Sequence, residues 1–198
     1  QLFGGNGADS LVGGSGNDIL TGRVDTLSIN GGDGDDTIDP GGAASVIING
    51  GGGTNTLSFA SAKSGVEVSL KDGTFSGGDG AGSLSNIQNI IGSQFDDTIT
   101  ASDDAPTLID PGRGNDVIIG STVTMTTLTY ANSKAAVTID LNQGSVTGGY
   151  GSDTFTNVRG FVGSNYNDTF IGAIADADLN GGGGVNTLSF QGMADGVN

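Results

Sequence analysis

The chain has no cysteine, no histidine and no tryptophan, and only six lysines and arginines in 198 residues. Without cysteine there is no disulfide framework and no thiolate metal site. Lacking both His and Cys, the chain offers only hard oxygen ligands in quantity, which suit Ca²⁺ or Mg²⁺ rather than Zn²⁺ or copper. The same absence removes the ordinary catalytic triad and the thiol nucleophile. With 22 acidic residues the net charge is −16, and nucleic acid and anionic membrane, which need a basic footprint, are excluded as partners. No apolar run approaches 18 residues, so no membrane-inserting helix is expected. Gln1–Gly5 carries no basic n-region and opens directly into a repeat, so no signal peptide is expected within it.

What is present is unusual. Glycine accounts for 39 residues, and all but one of the acids are aspartate, Glu67 being the exception. A solvated acidic face would mix Glu with Asp. Near-exclusive Asp points to a short carboxylate beside tight turns, where it caps backbone or holds a cation. The 34% apolar residues fall in short regular runs, which argues against disorder.

The template Gly-Gly-x-Gly-x-Asp-x-apolar-x occurs in full at Gly4–Val12, Gly13–Thr21, Gly31–Asp39 and Gly148–Thr156. Degenerate copies keep the frame at Gly50–Ser58 and Gly181–Ser189, with Asn55 and Asn186 in the Asp position. Three more, Gly92–Thr100, Pro111–Ile119 and Gly163–Ile171, keep Asp97, Asp116 and Asp168. A longer period overlays the first: Thr56–Thr100 aligns without a gap onto Thr127–Ile171, and a further copy begins at Thr187. The expected organisation is therefore one continuous segment of a longer array. It comprises a nonapeptide region (1–58), two long repeats (56–126 and 127–186) and a third begun at 187–198.

Period-two alternation at Val66–Leu70, Val137–Leu141 and Thr122–Tyr130 predicts strands, and no window carries the helical period. Glycines at positions one, two and four of each nonapeptide allow positive φ and a tight turn. The second half is a three-residue strand with one inward apolar side chain. Turn and strand twice over make one coil of a right-handed parallel β-roll or β-helix solenoid, all-β, built from nonapeptide turns and longer 45-residue units.

The sixth positions then recur one coil apart: Asp18 and Asp36, Asp36 and Asn55, Asp97 and Asp116, Asp168 and Asn186. Hydrogen-bonded neighbouring strands lie about 4.8 Å apart. Two carboxylates that close repel unless a cation lies between them, and turn carbonyls can complete an oxygen cage of the kind Ca²⁺ prefers. The bland reading of the same residues is Asx-turn capping without metal. Asp103, Asp104, Asp176 and Asp178 fit no frame and read as solvated loop acids. The recurring aromatics Phe59, Phe95, Tyr130, Tyr166 and Phe190 read as core or edge packing rather than a carbohydrate platform.

These repeats resemble the RTX (repeats-in-toxin, haemolysin-type) calcium-binding nonapeptides of secreted Gram-negative proteins, most closely over Gly4–Asp39. The resemblance implies several Ca²⁺ ions held between successive turns by position-six aspartates and by carbonyls of the first four positions. Carried over, the ligands are Gly13, Ser15 and Asp18 with Gly32, Gly34 and Asp36. Asp9, Asn55, Asp97, Gly112, Gly114, Asp116, Asp153 and Asp168 extend the set. The pattern departs where Phe95 and Tyr166 replace the position-four glycine and Gly82 replaces an aspartate.

The implied function is a non-enzymatic structural segment of a secreted surface-layer, adhesin or matrix protein. It would be exported by a type I route and fold on meeting millimolar calcium outside the cell. Its expected partners are calcium and, in a fibre or layer, copies of itself or neighbouring repeats. The alternative is the calcium-binding C-terminal module of a secreted protease, lipase or alginate epimerase. A β-helix lyase would need basic residues near the acids, and the six bases are scattered.

Overall fold

A three-residue strand with a single apolar side chain cannot bury that side chain alone, so the repeats must stack. The computed structural model describes residues 1–78, 80–149, 151–172, 174 and 176–192, and shows that stacking directly. Among these residues there is no helix. The strands form two open sheets, one of nine strands and one of thirteen. Over residues 1–58 the chain crosses from one sheet to the other after each strand, so successive strands of one sheet are parallel.

Parallel register places the inward apolar residues in columns. In the nine-stranded sheet Leu20 lies beside Ile38, Ile38 beside Leu57, Leu57 beside Ile90, and the column continues through Ile109 and Leu128 to Phe161. In the thirteen-stranded sheet Leu11, Ile29 and Ile48 form one column, and Val68, Ile99, Ile118 and Phe155 another. These side chains are all buried and make up a single core between the layers. Burying each Leu, Ile or Phe contributes about 1.5–3 kcal/mol. Phe59 and Phe155 add tilted ring pairs with Phe75 and Phe161, at centroid separations of 5.4 and 4.9 Å. Of the recurring aromatics, Phe59 and Tyr130 are buried, whereas Phe95, Tyr166 and Phe190 are exposed.

The long repeats differ from a uniform parallel stack. Val66–Ser69 pairs antiparallel with Thr74–Gly77, which pairs antiparallel with Gly80–Ser85. The second long repeat does the same with Val137–Asp140, Ser145–Gly148 and Gly151–Thr156. Each meander enters only the thirteen-stranded sheet, which is therefore mixed. Its tight turn explains it: the Ser69 hydroxyl donates to Asp72 at 2.6 Å and accepts from the Asp72 N–H at 3.0 Å, and Gly73 takes φ 65°. The strand expected over Thr122–Tyr130 is confined to Thr126–Thr129, because residues 122–124 are drawn into a turn on the Ser121 hydroxyl. Of the third repeat expected at 187–198, residues 193–198 lie outside the described residues, as does Tyr150 of the Gly148–Thr156 nonapeptide.

Candidate metal centre: the aspartate ladders

Position six immediately precedes a strand in every copy but Gly148–Thr156, where Asp153 lies within the strand, so parallel stacking puts the Asp or Asn of one pass against the same position of the next. The contact is a backbone-to-side-chain hydrogen bond. The Asp18 N–H donates to Asp36 Oδ1 at 2.8 Å, and the Asp36 N–H donates to Asn55 Oδ1 at 3.0 Å. This first ladder precedes the strands of the nine-stranded sheet and continues through Gln88, whose Oε1 accepts from Asn55 N–H at 2.8 Å.

A second ladder lies along the thirteen-stranded sheet, before its strands or, at Asp153, within one. There Asp97 N–H donates to Asp116 Oδ1, Asp116 N–H to Asp153 Oδ1, and Asp168 N–H to Asn186 Oδ1, at 2.8, 3.1 and 2.8 Å. Asp116 and Asp153 meet although a whole meander separates them in sequence. Asp9 precedes a strand of this sheet too, but the residue stacked against it is Leu27, whose N–H donates to the Asp9 carbonyl.

One carboxylate oxygen of Asp36, Asp97, Asp116, Asp153 and Asp168 thus caps a main-chain N–H. The other oxygen divides the aspartates into two groups. In Asp9, Asp18, Asp36 and Asp116, Oδ2 is buried and has no hydrogen-bond partner. Asp36 and Asp116 are each only 1% exposed. An unpaired buried carboxylate oxygen is costly, and it marks a place where a cation fits.

In Asp97 and Asp168 both oxygens are engaged: Ser93 donates its N–H to Asp97 Oδ2 at 2.6 Å and its hydroxyl to Oδ1 at 2.7 Å. Ser164 makes the same pair of bonds to Asp168. Asp153 Oδ2 accepts the Tyr130 hydroxyl at 2.8 Å. Asn55 uses its whole amide, donating from Nδ2 to the Gly52 and Asn86 carbonyls.

The glycines set the space around each carboxylate. A Cβ on Gly13 would come within 2.7 Å of Asp18 Oδ2, and one on Gly31 would overlap Asp36 Oδ2 and the Gly50 carbonyl oxygen. Gly32 and Gly34 hold φ of 112° and 131°, and Gly112 and Gly114 hold 89° and 122°. Ser15 lies opposite Asp33 in the parallel pairing of the two turns, and the Gly32 carbonyl already accepts Gly52 N–H at 2.7 Å.

Among the described residues no three carboxylates gather into one cluster. A cation at Asp18 and Asp36 would therefore need main-chain carbonyls beside the carboxylates. An all-oxygen donor set with orphaned, buried carboxylate oxygens fits a hard divalent ion.

Electrostatics separate the ladders further. Burial pushes the Asp116 carboxyl up to about 8, the Asp97 N–H bond opposing this and the nearby Asp153 and Asp97 charges adding to it. Burial likewise raises Asp153 and Asp97, against the hydrogen bonds that favour their charged forms. Tyr130 is raised well above its ordinary value, first by burial and then by Asp153. Away from the ladders, Asp103 bonds Lys71 at 2.7 Å and the Ser121 hydroxyl at 2.6 Å, and both lower its pKa.

Several ladder residues were not legible in the repeat frame. Position five forms its own capping series, with Asp35 N–H on Asn17 Oδ1 and Thr54 N–H on Asp35 Oδ1. Thr107 and Thr126 take the aspartate's place at two further turns, accepting from Ser102 and Ser121 N–H. Their signal is a Gly-Ser or Ala-Ser pair followed five residues later by Thr, which an Asp-based template passes over.

No protein-family model matches the chain, and no curated protein matches it significantly.

Proposed function

We propose that this chain is a calcium-binding structural segment of a secreted bacterial surface-layer, adhesin or matrix protein, non-catalytic in itself. In this reading the alternating strands wind as a right-handed parallel β-roll of the RTX type, interrupted by meanders. One observation carries it: buried carboxylate oxygens without partners, on glycine turns whose aspartates stack one pass apart.

Calcium, when bound, supplies positive charge and accepts six to eight oxygen ligands. Asp18 and Asp36 would be the principal holders, with the carbonyls of Gly13, Ser15, Gly32 and Gly34 around them, and Asp9 and Asp116 would hold further ions. Asp18 and Asp36 lie against each other through the Asp18 N–H bond, so their charges repel when nothing cationic is near. Exchange of that repulsion for shared attraction couples ion binding to closure of the turns. In a cell interior poor in calcium the acidic chain stays open for export, and outside it folds. Calcium and neighbouring copies of the repeat are the partners proposed.

Circular dichroism in excess chelator and then in millimolar calcium tests this. The β signal is expected to weaken in chelator and to return with calcium. An identical spectrum and melting curve in both conditions would remove the proposal.

A further inference from the structure

We infer that Ser93 and Ser164 take the place of a cation at their turns, so that ion binding is confined to turns with glycine at positions two and four. The inference rests on the calcium reading above and divides its candidate sites into two kinds.

The division begins in the sequence. Gly13–Thr21, Gly31–Asp39 and Pro111–Ile119 carry glycine at positions two and four, as Gly14 and Gly16, Gly32 and Gly34, and Gly112 and Gly114. All six have positive φ, between 89° and 131°. Asp18, Asp36 and Asp116, which close these turns, each keep an orphaned Oδ2. At Gly92–Thr100 and Gly163–Ile171 the same two positions are Ser93 and Phe95, and Ser164 and Tyr166. None of these four has positive φ.

The changed backbone aims the serine at the carboxylate. Ser93 Oγ accepts the Phe95 N–H at 3.0 Å, which fixes the turn, and donates to Asp97 Oδ1 at 2.7 Å while its own N–H reaches Oδ2 at 2.6 Å. Ser164 repeats this with Tyr166 and Asp168. Asp97 Oδ1 also accepts Val66 N–H, and Asp168 Oδ1 accepts Val137 N–H, both at 2.8 Å. Each of these carboxylates therefore accepts three donors from the chain itself. A carboxylate so supplied is satisfied without a metal. The position-four residue joins the same turn through the N–H it donates to the serine hydroxyl.

Both serine turns lie in the long repeats, directly beyond the first meander strand to which each is joined by the Val66 or Val137 bond. The ion-free closures thus lie in the long repeats where the meanders dock, whereas the ion-dependent ones lie in the nonapeptide region and, at Asp116, between the two meanders.

The test uses the full chain. Hydrogen exchange of the unmodified protein in chelator should show residues 92–97 and 163–168 still protected while 13–18 and 31–36 lose protection. Equal loss at all four turns would overturn the inference. The variant Ser93→Gly/Phe95→Gly restores the glycine frame around Asp97. It should bind one more calcium per chain by calorimetric titration, and melt about 3–10 °C lower than the unmodified chain in chelator but close to it in calcium. An equal drop in both conditions with unchanged stoichiometry would also overturn it, since a merely structural serine would behave that way. Ser93→Ala, which keeps the aromatic, should lose stability in both conditions and gain no ion. No calcium uptake by the unmodified chain would instead sink the calcium reading and this inference together.

Discussion

The main-chain N–H of Asp18 donates to Oδ1 of Asp36 at 2.8 Å, while Oδ2 of both residues is buried without a partner. Asp36 therefore has two separable duties. One oxygen caps a backbone donor, and the other is buried with nothing to meet it.

Asp36→Asn separates these duties, because the amide keeps an acceptor for Asp18 N–H and removes the charge. In chelator the variant is expected to be as stable as the unmodified chain or more so. In calcium it should lose an ion and most of the calcium-induced rise in melting temperature. Asp36→Ala removes the acceptor too, and should cost about 1–3 kcal/mol under both conditions. Thermal melts of the two variants, with and without calcium, distinguish the roles.

Gly14 and Gly32 form a controlled pair. Both have strongly positive φ, 107° and 112°, but a Cβ on Gly14 meets nothing within 4 Å whereas one on Gly32 would overlap the Gly14 carbonyl. Gly14→Ala should cost about 1–2 kcal/mol for the backbone conformation alone. Gly32→Ala should cost more, adding about 1–3 kcal/mol of overpacking. Urea titrations that found the two equal would show that close approach between turns does not limit the stack.

The metal-free chain should lose stability as pH rises. The Asp116 carboxyl holds its proton up to about 8 in the folded state, chiefly through burial, against an ordinary value of 3.8. Between those values the folded chain binds more protons than the unfolded one, so unfolding free energy falls with increasing pH. Asp97 and Asp153 are shifted the same way. The exposed Lys71–Asp103 pair acts in the opposite sense, but is solvent-screened. In chelator the melting temperature is expected to be highest near pH 4 and to decline toward pH 8, and calcium should flatten that decline. A metal-free chain that gained stability from pH 4 to pH 8 would contradict the burial of these carboxylates.

Ile38 is fully buried between Leu20 and Leu57 in one apolar column. Ile38→Ala should cost about 2–5 kcal/mol, by lost transfer and the cavity left behind. Denaturant unfolding with and without calcium should show the same loss, since this column does not touch the ladder chemistry.

Much of this architecture was legible because spacing alone carries it. One apolar residue per nonapeptide predicted the columns from Leu11 to Phe170. The recurrence of position six placed Asp18 on Asp36 and Asp97 on Asp116. The meanders are not legible in the sequence, since Val66–Leu70 alternates equally well in a parallel or an antiparallel strand. The loops that reverse the chain, residues 70–73 and 141–144, lie outside the nonapeptide frame. Gln88, Thr107 and Thr126 fall outside the Asp template because they do aspartate's capping work with different chemistry. The serine closures at Ser93 and Ser164 look in sequence like decay of the template, and only their backbone angles and bonds show a different way of completing the turn.

Among the described residues the two layers contain unequal numbers of strands, nine against thirteen, and the four additional strands come as two in each long repeat. At about 4.8 Å per strand, one face gains about 10 Å over the other with every such repeat. A tandem array would then bow into an arc with the meander-bearing face on its outer side, as wedge-shaped stones turn a wall into a vault. Curvature would be written into the spacing of the meanders, and a straight rod in small-angle scattering from a longer array would speak against it.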